Sequence, residues 1–161
     1  QTLRGFYRAR VITPIHIMQY TEILEGSDAW FVARLVLPNQ VSLFQGDVLA
    51  NTADAIRIRV YDISSETTDP DAADGGLHYS QDVDSSSPGN ADHAIILAAL
   101  ATDGYWNGTD DEGYNFIYRL QNSAALLEGG HRYKVEFHIK TTSFGTISWT
   151  TGLYTRSMLL E

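Results

Sequence analysis

Apolar and polar residues alternate strictly through Tyr133–Ile139, which is the clearest pattern in the chain. The odd-numbered residues are Tyr, Val, Phe and Ile, and the even-numbered residues between them are Lys, Glu and His. A period of two predicts a β-strand with one face buried and the other in water. The same period, complete or nearly so, predicts strands in Phe31–Leu37, Asp54–Ile63, Phe116–Leu120 and Ile147–Leu153.

Three weaker segments are further strand candidates. Two of them, Arg8–Ile12 and Ile15–Tyr20, lie near the start of the chain and are separated by Pro14. The third, His78–Val83, is a short run between two polar stretches. Many short strands separated by turns are typical of an all-β sandwich or barrel.

Turn-forming residues lie between the predicted strands. Ser143–Thr146 predicts a hairpin turn with Gly145 in the positive-φ position. Ser64–Gly76 and Asp84–Asn90 are rich in Ser, Asp, Pro and Gly and predict loops. Ala91–Ala101 fits either a buried strand or a connecting helix, because a short apolar run has no decisive period. We therefore expect an N-terminal arm with the first strands in residues 1–25 and a β-sandwich domain in residues 26–161.

Charge is distributed unevenly along the chain. The net charge is −9 and there is no cysteine. Twelve acidic residues and no Lys or Arg lie between Asp62 and Glu112, whereas the first ten residues contain three Arg and no acid. The balance argues against nucleic-acid binding, and the lack of thiols excludes disulfides and cysteine-ligated metals. No apolar run approaches the ~18 residues of a membrane helix, so no membrane partner is expected.

The basic N-terminus is one candidate interaction segment. Arginine forks pair well with carboxylates, and every copy of the chain carries the acidic middle region. The alternative is a frayed terminus or a first edge strand. The candidate protein-interface residues are Arg4, Phe6, Tyr7, Arg8 and Arg10.

Candidate catalytic and metal-binding residues are few. None of the five histidines has a metal-ligand spacing, and His138 is expected on the wet face of a strand. Closely spaced carboxylates make Asp69, Asp71 and Asp74 a weak calcium candidate, although the spacing departs from the EF-hand loop. A hydrolase using Asp110 or Asp111 as acid or base would need two opposed carboxyls in a cleft. No catalytic residue, cofactor or metal is therefore predicted, and an acidic solvated turn is the simpler interpretation.

Aromatic residues near turns form a second candidate site. Tyr105, Trp106 and Tyr114 lie beside turn residues, and they predict either a binding patch for sugars or proteins or a plug at one end of the domain. The triplet starting at Asn107 has the N-glycosylation pattern, which is common by chance.

The segment Leu127–Phe137 resembles the tyrosine corner of fibronectin type III and related immunoglobulin-like domains. Leu127, Gly130 and Tyr133 carry the resemblance, followed by the alternating strand. It implies that Tyr133 begins the sixth strand of the sandwich and that its hydroxyl bonds to the backbone just upstream. The usual proline is replaced by Gly129, and the immunoglobulin cysteine pair is absent. The expected fold is therefore a single antiparallel β-sandwich of immunoglobulin-like or fibronectin-like type.

A looser resemblance is to small β-domain proteins encoded among tailed-bacteriophage structural genes. It rests on the order of four short segments, which are Val60–Asp62, Thr102–Trp106, Glu112–Phe116 and Gly129–Tyr133. It implies a non-enzymatic component of the virion, assembled in the host cytoplasm. We expect a capsid decoration or cement protein, a homo-oligomer and commonly a trimer, that binds the major capsid protein. The alternatives are a neck, tail or fibre-adapter component that binds neck or tail subunits, and a carbohydrate- or host-surface-binding module.

Overall fold

In a computed structural model, residues 5–11, 20–64, 76–90, 92–106 and 110–158 are described. They form nine strands, one α-helical turn and two short 3-10 turns. The strands are β1 (Gly5–Val11), β2 (Tyr20–Leu24), β3 (Ala29–Leu35), β4 (Ile56–Asp62), β5 (Leu77–Val83), β6 (Ile96–Ala101), β7 (Tyr114–Leu120), β8 (Arg132–Lys140) and β9 (Thr146–Arg156). The helical turn α1 is Asn122–Ala125, and the 3-10 turns are Gln45–Asp47 and Gly104–Trp106.

The strands form two sheets that share one core. One sheet has the order β1-β3-β7-β6 and the other β2-β9-β8-β4-β5. The core takes apolar side chains from both sheets, and Phe137 of β8 lies at the centre of its aromatic part. The ring of Phe137 lies 4.9 Å from that of Phe116, 5.0 Å from that of Trp149 and 5.4 Å from that of Phe31, measured between centroids. The all-β, two-layer prediction is confirmed.

The pairing is antiparallel in the interior of both sheets but parallel at one edge of each. β1 runs parallel to β3, and β2 runs parallel to β9. The prediction of a purely antiparallel sandwich is therefore wrong at these edges, because alternation determines which face is buried and carries no information about strand direction. The described parts of residues 1–25 are paired within the two sheets, as in the edge-strand alternative.

The ambiguous segment 91–101 contributes a strand, β6, so the helix alternative is wrong. Ile95 and Ile96 are buried between the sheets, and β6 pairs with β7 at the edge of the four-stranded sheet. Strand β5 confirms the weak candidate His78–Val83, and Gly145 has the predicted positive φ, at 67°. Most of Ile15–Tyr20 and most of Ser64–Gly76 lie outside the described residues.

Strand β3 departs from the expectation of one wet face, because all seven of its residues are buried. Phe31 and Ala33 point into the shared core, whereas Trp30 and Val32 belong to a second apolar cluster on the outer face of the sheet. We call this second group the outer cluster. It consists of Trp30, Val32, Leu97, Trp106, Tyr114 and Ile117.

Candidate functional site

The predicted aromatic patch is part of the outer cluster and is largely buried. Trp106 is 3% exposed and Tyr114 is fully buried. The ring of Tyr105 stacks on Trp30 with centroids 5.3 Å apart. The structure therefore brings the three predicted residues together, but as a plug over the outer face of the sheet. The alternative of an exposed binding platform is wrong for Trp106 and Tyr114, because they are buried in the outer cluster with Trp30 of β3.

Two carboxylates hold this segment against the sheet. Asp103 accepts hydrogen bonds from the Tyr114 hydroxyl at 2.8 and 2.9 Å and from the backbone N–H of Tyr105 at 3.1 Å. Asp110 makes a bidentate pair with the buried guanidinium of Arg34, at 2.8 and 2.9 Å. The Trp106 indole N–H also donates to Asp110, at 2.9 Å. Both carboxylates thus position the aromatic residues.

The same contacts bear on the hydrolase alternative. The hydrogen bonds from Arg34 and Trp106 hold the pKa of Asp110 well below its usual range. A carboxyl with a lowered pKa is ionised at neutral pH and has no proton to donate. Asp110 is therefore unsuited to act as a general acid.

The tyrosine corner has the contact that the resemblance implies. Tyr133 is fully buried, and its hydroxyl accepts a hydrogen bond of 2.8 Å from the backbone N–H of Glu128. Burial raises the pKa of Tyr133 to about 12. Leu127 is buried beneath the turn, and Gly130 has a φ of 80°. A Cβ at Gly129 would lie 2.6 Å from the Glu25 carboxylate and 3.0 Å from the Ser157 Cα, so the turn is closely packed at this position.

Beside the tyrosine corner, His131 lies between two carboxylates. Its Nδ1 is 2.6 Å from Asp62 Oδ2, and its Nε2 is 3.4 Å from Glu128 Oε2. Among the described residues, these three form the one group of His, Cys, Asp or Glu side chains whose ligand atoms all lie within 4.8 Å of one another. Burial raises the pKa of Asp62, but hydrogen bonds from Ser64 and His131 outweigh it and the net shift is downward. We call this group the corner triad.

Sequence reasoning missed the corner triad because its members are distant in the chain. Asp62 ends β4 and His131 immediately precedes β8, 69 positions later. The pairing of β4 with β8 brings Asp62 opposite Tyr133 in the register. The available signal was the Glu-Gly-Gly-His order of residues 128–131, which brings a carboxylate and an imidazole to one turn.

The other described histidines lie outside the triad. His138 is half-exposed on β8, as predicted, with Nδ1 2.8 Å from Ser148 Oγ and Nε2 3.1 Å from Glu136 Oε1. These three polar side chains lie next to one another on the outer side of β8 and β9, as cross-strand neighbours on a solvated sheet face do. His78 Nε2 lies 2.7 Å from the Ala125 carbonyl oxygen.

A cleft of about 560 Å³ opens along the side of the domain where β5 faces β7. Its lining is mainly polar and includes Tyr79, Gln81, Tyr118 and Asn90. The Tyr118 hydroxyl donates to the Gln81 side chain at 2.7 Å. The Asn90 amide nitrogen is buried and has no hydrogen-bond partner among the described residues. The cleft was not predicted, because it forms between strands that are distant in sequence.

The remaining predicted residues fall partly outside the described residues. Asp69, Asp71 and Asp74, the calcium candidate, lie outside them, as do Arg4 and the triplet starting at Asn107. The other N-terminal candidates are backbone positions of β1, where Phe6, Tyr7, Arg8 and Arg10 lie opposite Trp30, Phe31, Val32 and Arg34 in the register.

The comparisons with known proteins give no family. No family model matches the chain, and no curated protein matches it at a significant level. The described residues contain no helix with the length and hydropathy of a membrane span.

Proposed function

We propose that this chain is an immunoglobulin-like β-domain that works by binding other proteins. The observation that carries the proposal is the strand order. Immunoglobulin domains place strands A, B, E and D in one sheet and G, F and C in the other, with C′ added in variable domains. In one sheet, β1, β3, β7 and β6 correspond in order to A, B, E and D. In the other sheet, β9, β8, β4 and β5 correspond in order to G, F, C and C′.

Two details support this correspondence, and both edge strands with parallel pairing depart from it. The tyrosine corner lies at the start of β8, the strand that corresponds to F. The aromatic cluster around Phe137 fills the space between the sheets without a disulfide. Strand β1 departs because its pairing with β3 is parallel, whereas immunoglobulin sheets are antiparallel. Strand β2 departs because it is an additional strand, parallel to β9.

Two ion pairs among the described residues have a structural role. Arg34 and Asp110 pair with each other and hold a loop against the sheet. Arg119 and Asp28 pair at 2.6 Å, and the guanidinium of Arg119 lies over the ring of Trp30. Both pairs therefore stabilise the fold.

We further propose that the chain is a non-enzymatic structural protein of a tailed-bacteriophage virion, and within the virion a capsid decoration protein. The resemblance to phage β-domains and the acidic charge of −9 beside a basic N-terminus support this role. Oppositely charged surfaces favour the association of subunits in a defined orientation. A neck, tail or fibre-adapter component is the alternative within the virion. The carbohydrate-binding alternative is less well supported, because Trp106 and Tyr114 are buried and cannot stack on a sugar.

The test is binding of the purified chain to capsids of the phage that encodes it, combined with mass spectrometry of purified virions. We expect the chain in the virions and stoichiometric, saturable binding to capsids. Arg8→Glu should weaken that binding, whereas Arg156→Glu makes the same charge change on an exposed side chain in β9 and should leave it unchanged. Absence of the chain from virions would overturn the virion proposal. Presence in tails with no capsid binding would favour the neck or tail alternative.

A further inference from the structure

We propose that the corner triad binds a divalent transition-metal ion, with Zn²⁺ as the best fit. His131 and Glu128 are the ligands, and Asp62 orients the imidazole. Nothing in the proposed virion role requires this site, so the two proposals stand or fall separately.

The first argument is the distance between the two ligand atoms. Charge-assisted N–H···O hydrogen bonds are about 2.7–2.9 Å long. His131 Nε2 and Glu128 Oε2 are 3.4 Å apart, which is longer than such a bond. Two ligands with metal bonds of about 2.0–2.2 Å in tetrahedral geometry lie about 3.4 Å apart. The pair therefore has the spacing of two ligands on one zinc ion.

The second argument is the orientation of the imidazole. Asp62 Oδ2 lies 2.6 Å from Nδ1, so the Nδ1 proton is held by the carboxylate. This leaves the lone pair on Nε2, the nitrogen that lies 3.4 Å from Glu128 Oε2. Metal-binding histidines commonly have this arrangement, in which a carboxylate on the far nitrogen fixes the tautomer and makes the imidazole a better ligand.

The third argument is that both ligands are attached to a fixed backbone. The N–H of Glu128 donates to the buried Tyr133 hydroxyl, and the carbonyl of Glu128 accepts from the Thr155 hydroxyl. His131 follows Gly130, whose positive φ of 80° turns the chain so that the two ligands face each other. The backbone N–H of Thr155 donates to the His131 carbonyl at 3.0 Å. Binding of an ion therefore requires little ordering of the main chain.

The chemistry of the ligands selects the kind of ion. Imidazole nitrogen suits Zn²⁺, Ni²⁺ and Cu²⁺, whereas Mg²⁺ and Ca²⁺ prefer oxygen ligands alone. The His131 side chain is 35% exposed and that of Glu128 is 64% exposed. Water and an incoming ion can therefore reach the site, and water completes the coordination.

The experiment is isothermal titration of the folded chain with ZnCl₂, repeated on Glu128→Gln, His131→Gln and Asp62→Asn. Glu128→Gln is the decisive variant, because it keeps both backbone hydrogen bonds of residue 128 and changes only an exposed carboxylate. The control is His138→Gln, which removes a half-exposed imidazole that also lies beside a glutamate. Circular dichroism and the unfolding temperature without metal show whether each variant is folded.

We expect one Zn²⁺ per chain in the wild type and in His138→Gln, and a higher unfolding temperature with zinc for both. Glu128→Gln and His131→Gln should lose this uptake. Asp62→Asn should weaken it by about 10- to 100-fold, as loss of a carboxylate behind a metal-binding histidine does. No uptake by the wild type at millimolar Zn²⁺, or uptake unaffected by Glu128→Gln, would overturn the proposal and leave the triad as an ion pair on His131.

Discussion

At the level of single residues, burial and partners decide what each polar side chain does. Asp110 and Asp111 are adjacent acids in the sequence. Asp110 accepts hydrogen bonds from groups on several neighbouring residues, including Arg34 and Trp106. A carboxylate with so many donors is fixed in its charged form. A candidate catalytic carboxyl is therefore better judged by the hydrogen-bond donors around it than by its spacing from other acids in the sequence.

The tyrosine corner gives a prediction at this level. Tyr133→Phe removes the hydroxyl that accepts the Glu128 N–H and leaves this donor without its partner. We expect the free energy of unfolding to fall by about 1–3 kcal/mol, as for other unsatisfied donors. Urea denaturation measures the change. Tyr79→Phe is the control, because the Tyr79 hydroxyl lies beside the Gln81 and Tyr118 side chains and its removal leaves no backbone N–H without an acceptor. Equal effects of the two changes would contradict a structural role for the corner hydroxyl.

At the level of strands and loops, connecting segments act as parts of the sheets. The loop before β6 passes close to β7, where Gly89 accepts a hydrogen bond of 2.8 Å from the N–H of Arg119. Ser87 likewise accepts one of 3.0 Å from the N–H of Ile95. The sequence of Asp84–Asn90 indicates a loop correctly but does not reveal this close packing against a strand.

Gly89→Ala tests this packing. A Cβ at position 89 would lie 2.0 Å from the Ile117 carbonyl oxygen, so the loop or β7 must shift. Overpacking of this kind destabilises by about 1–3 kcal/mol, and chemical denaturation measures it. Gly46→Ala is the matched control, since a Cβ there would meet nothing within 4 Å. A neutral Gly89→Ala would mean that the loop is not held against β7.

Across the molecule as a whole, the net negative charge and the internal ion pairs have opposite effects on the stability of the folded chain at neutral pH. The net charge of −9 produces repulsion at neutral pH, and this repulsion decreases as the pH approaches the isoelectric point of about 4.8. Hydrogen bonds and ion pairs lower the pKa of several carboxyls, which therefore stabilise the folded chain in their ionised form. Those with lowered pKa values are Asp54, Asp62, Asp82, Asp84, Asp103 and Asp110.

The expected pH profile follows from these signs. A carboxyl whose pKa is lower in the folded state contributes stability above its unfolded pKa, about 4, and loses it as the pH falls further. We expect the free energy of unfolding to be highest between about pH 5 and 8, where these carboxyls are ionised in both states, and to fall steeply below about pH 4, as measured by urea denaturation across the acid range. In Asp110→Asn, the free energy of unfolding should fall less steeply as the pH is lowered below about 4. Asp111→Asn removes the same charge and is the control. A wild-type free energy of unfolding that does not change with pH across the acid range would contradict this account.

Local residue order is enough to place most of the strands and to say which of their residues face the core. Alternation in Tyr133–Ile139 is a local property, and a strand displays it in any pairing, so β8 follows from its own residues. The tyrosine-corner motif likewise depends on residues close together in the chain. Composition alone excludes thiol chemistry, because the chain contains no cysteine.

The direction of the edge strands, the burial of Trp106 and the meeting of Asp62 with His131 depend instead on the folded arrangement. Each is a matter of which distant segments lie side by side, and no local period encodes that choice. Trp106 is buried because its loop packs over β3, more than seventy residues earlier in the chain. The corner triad exists because β4 pairs with β8. Long-range pairing is set by the packing of the whole core, which is why sites of this kind are recognised only once the chain is folded.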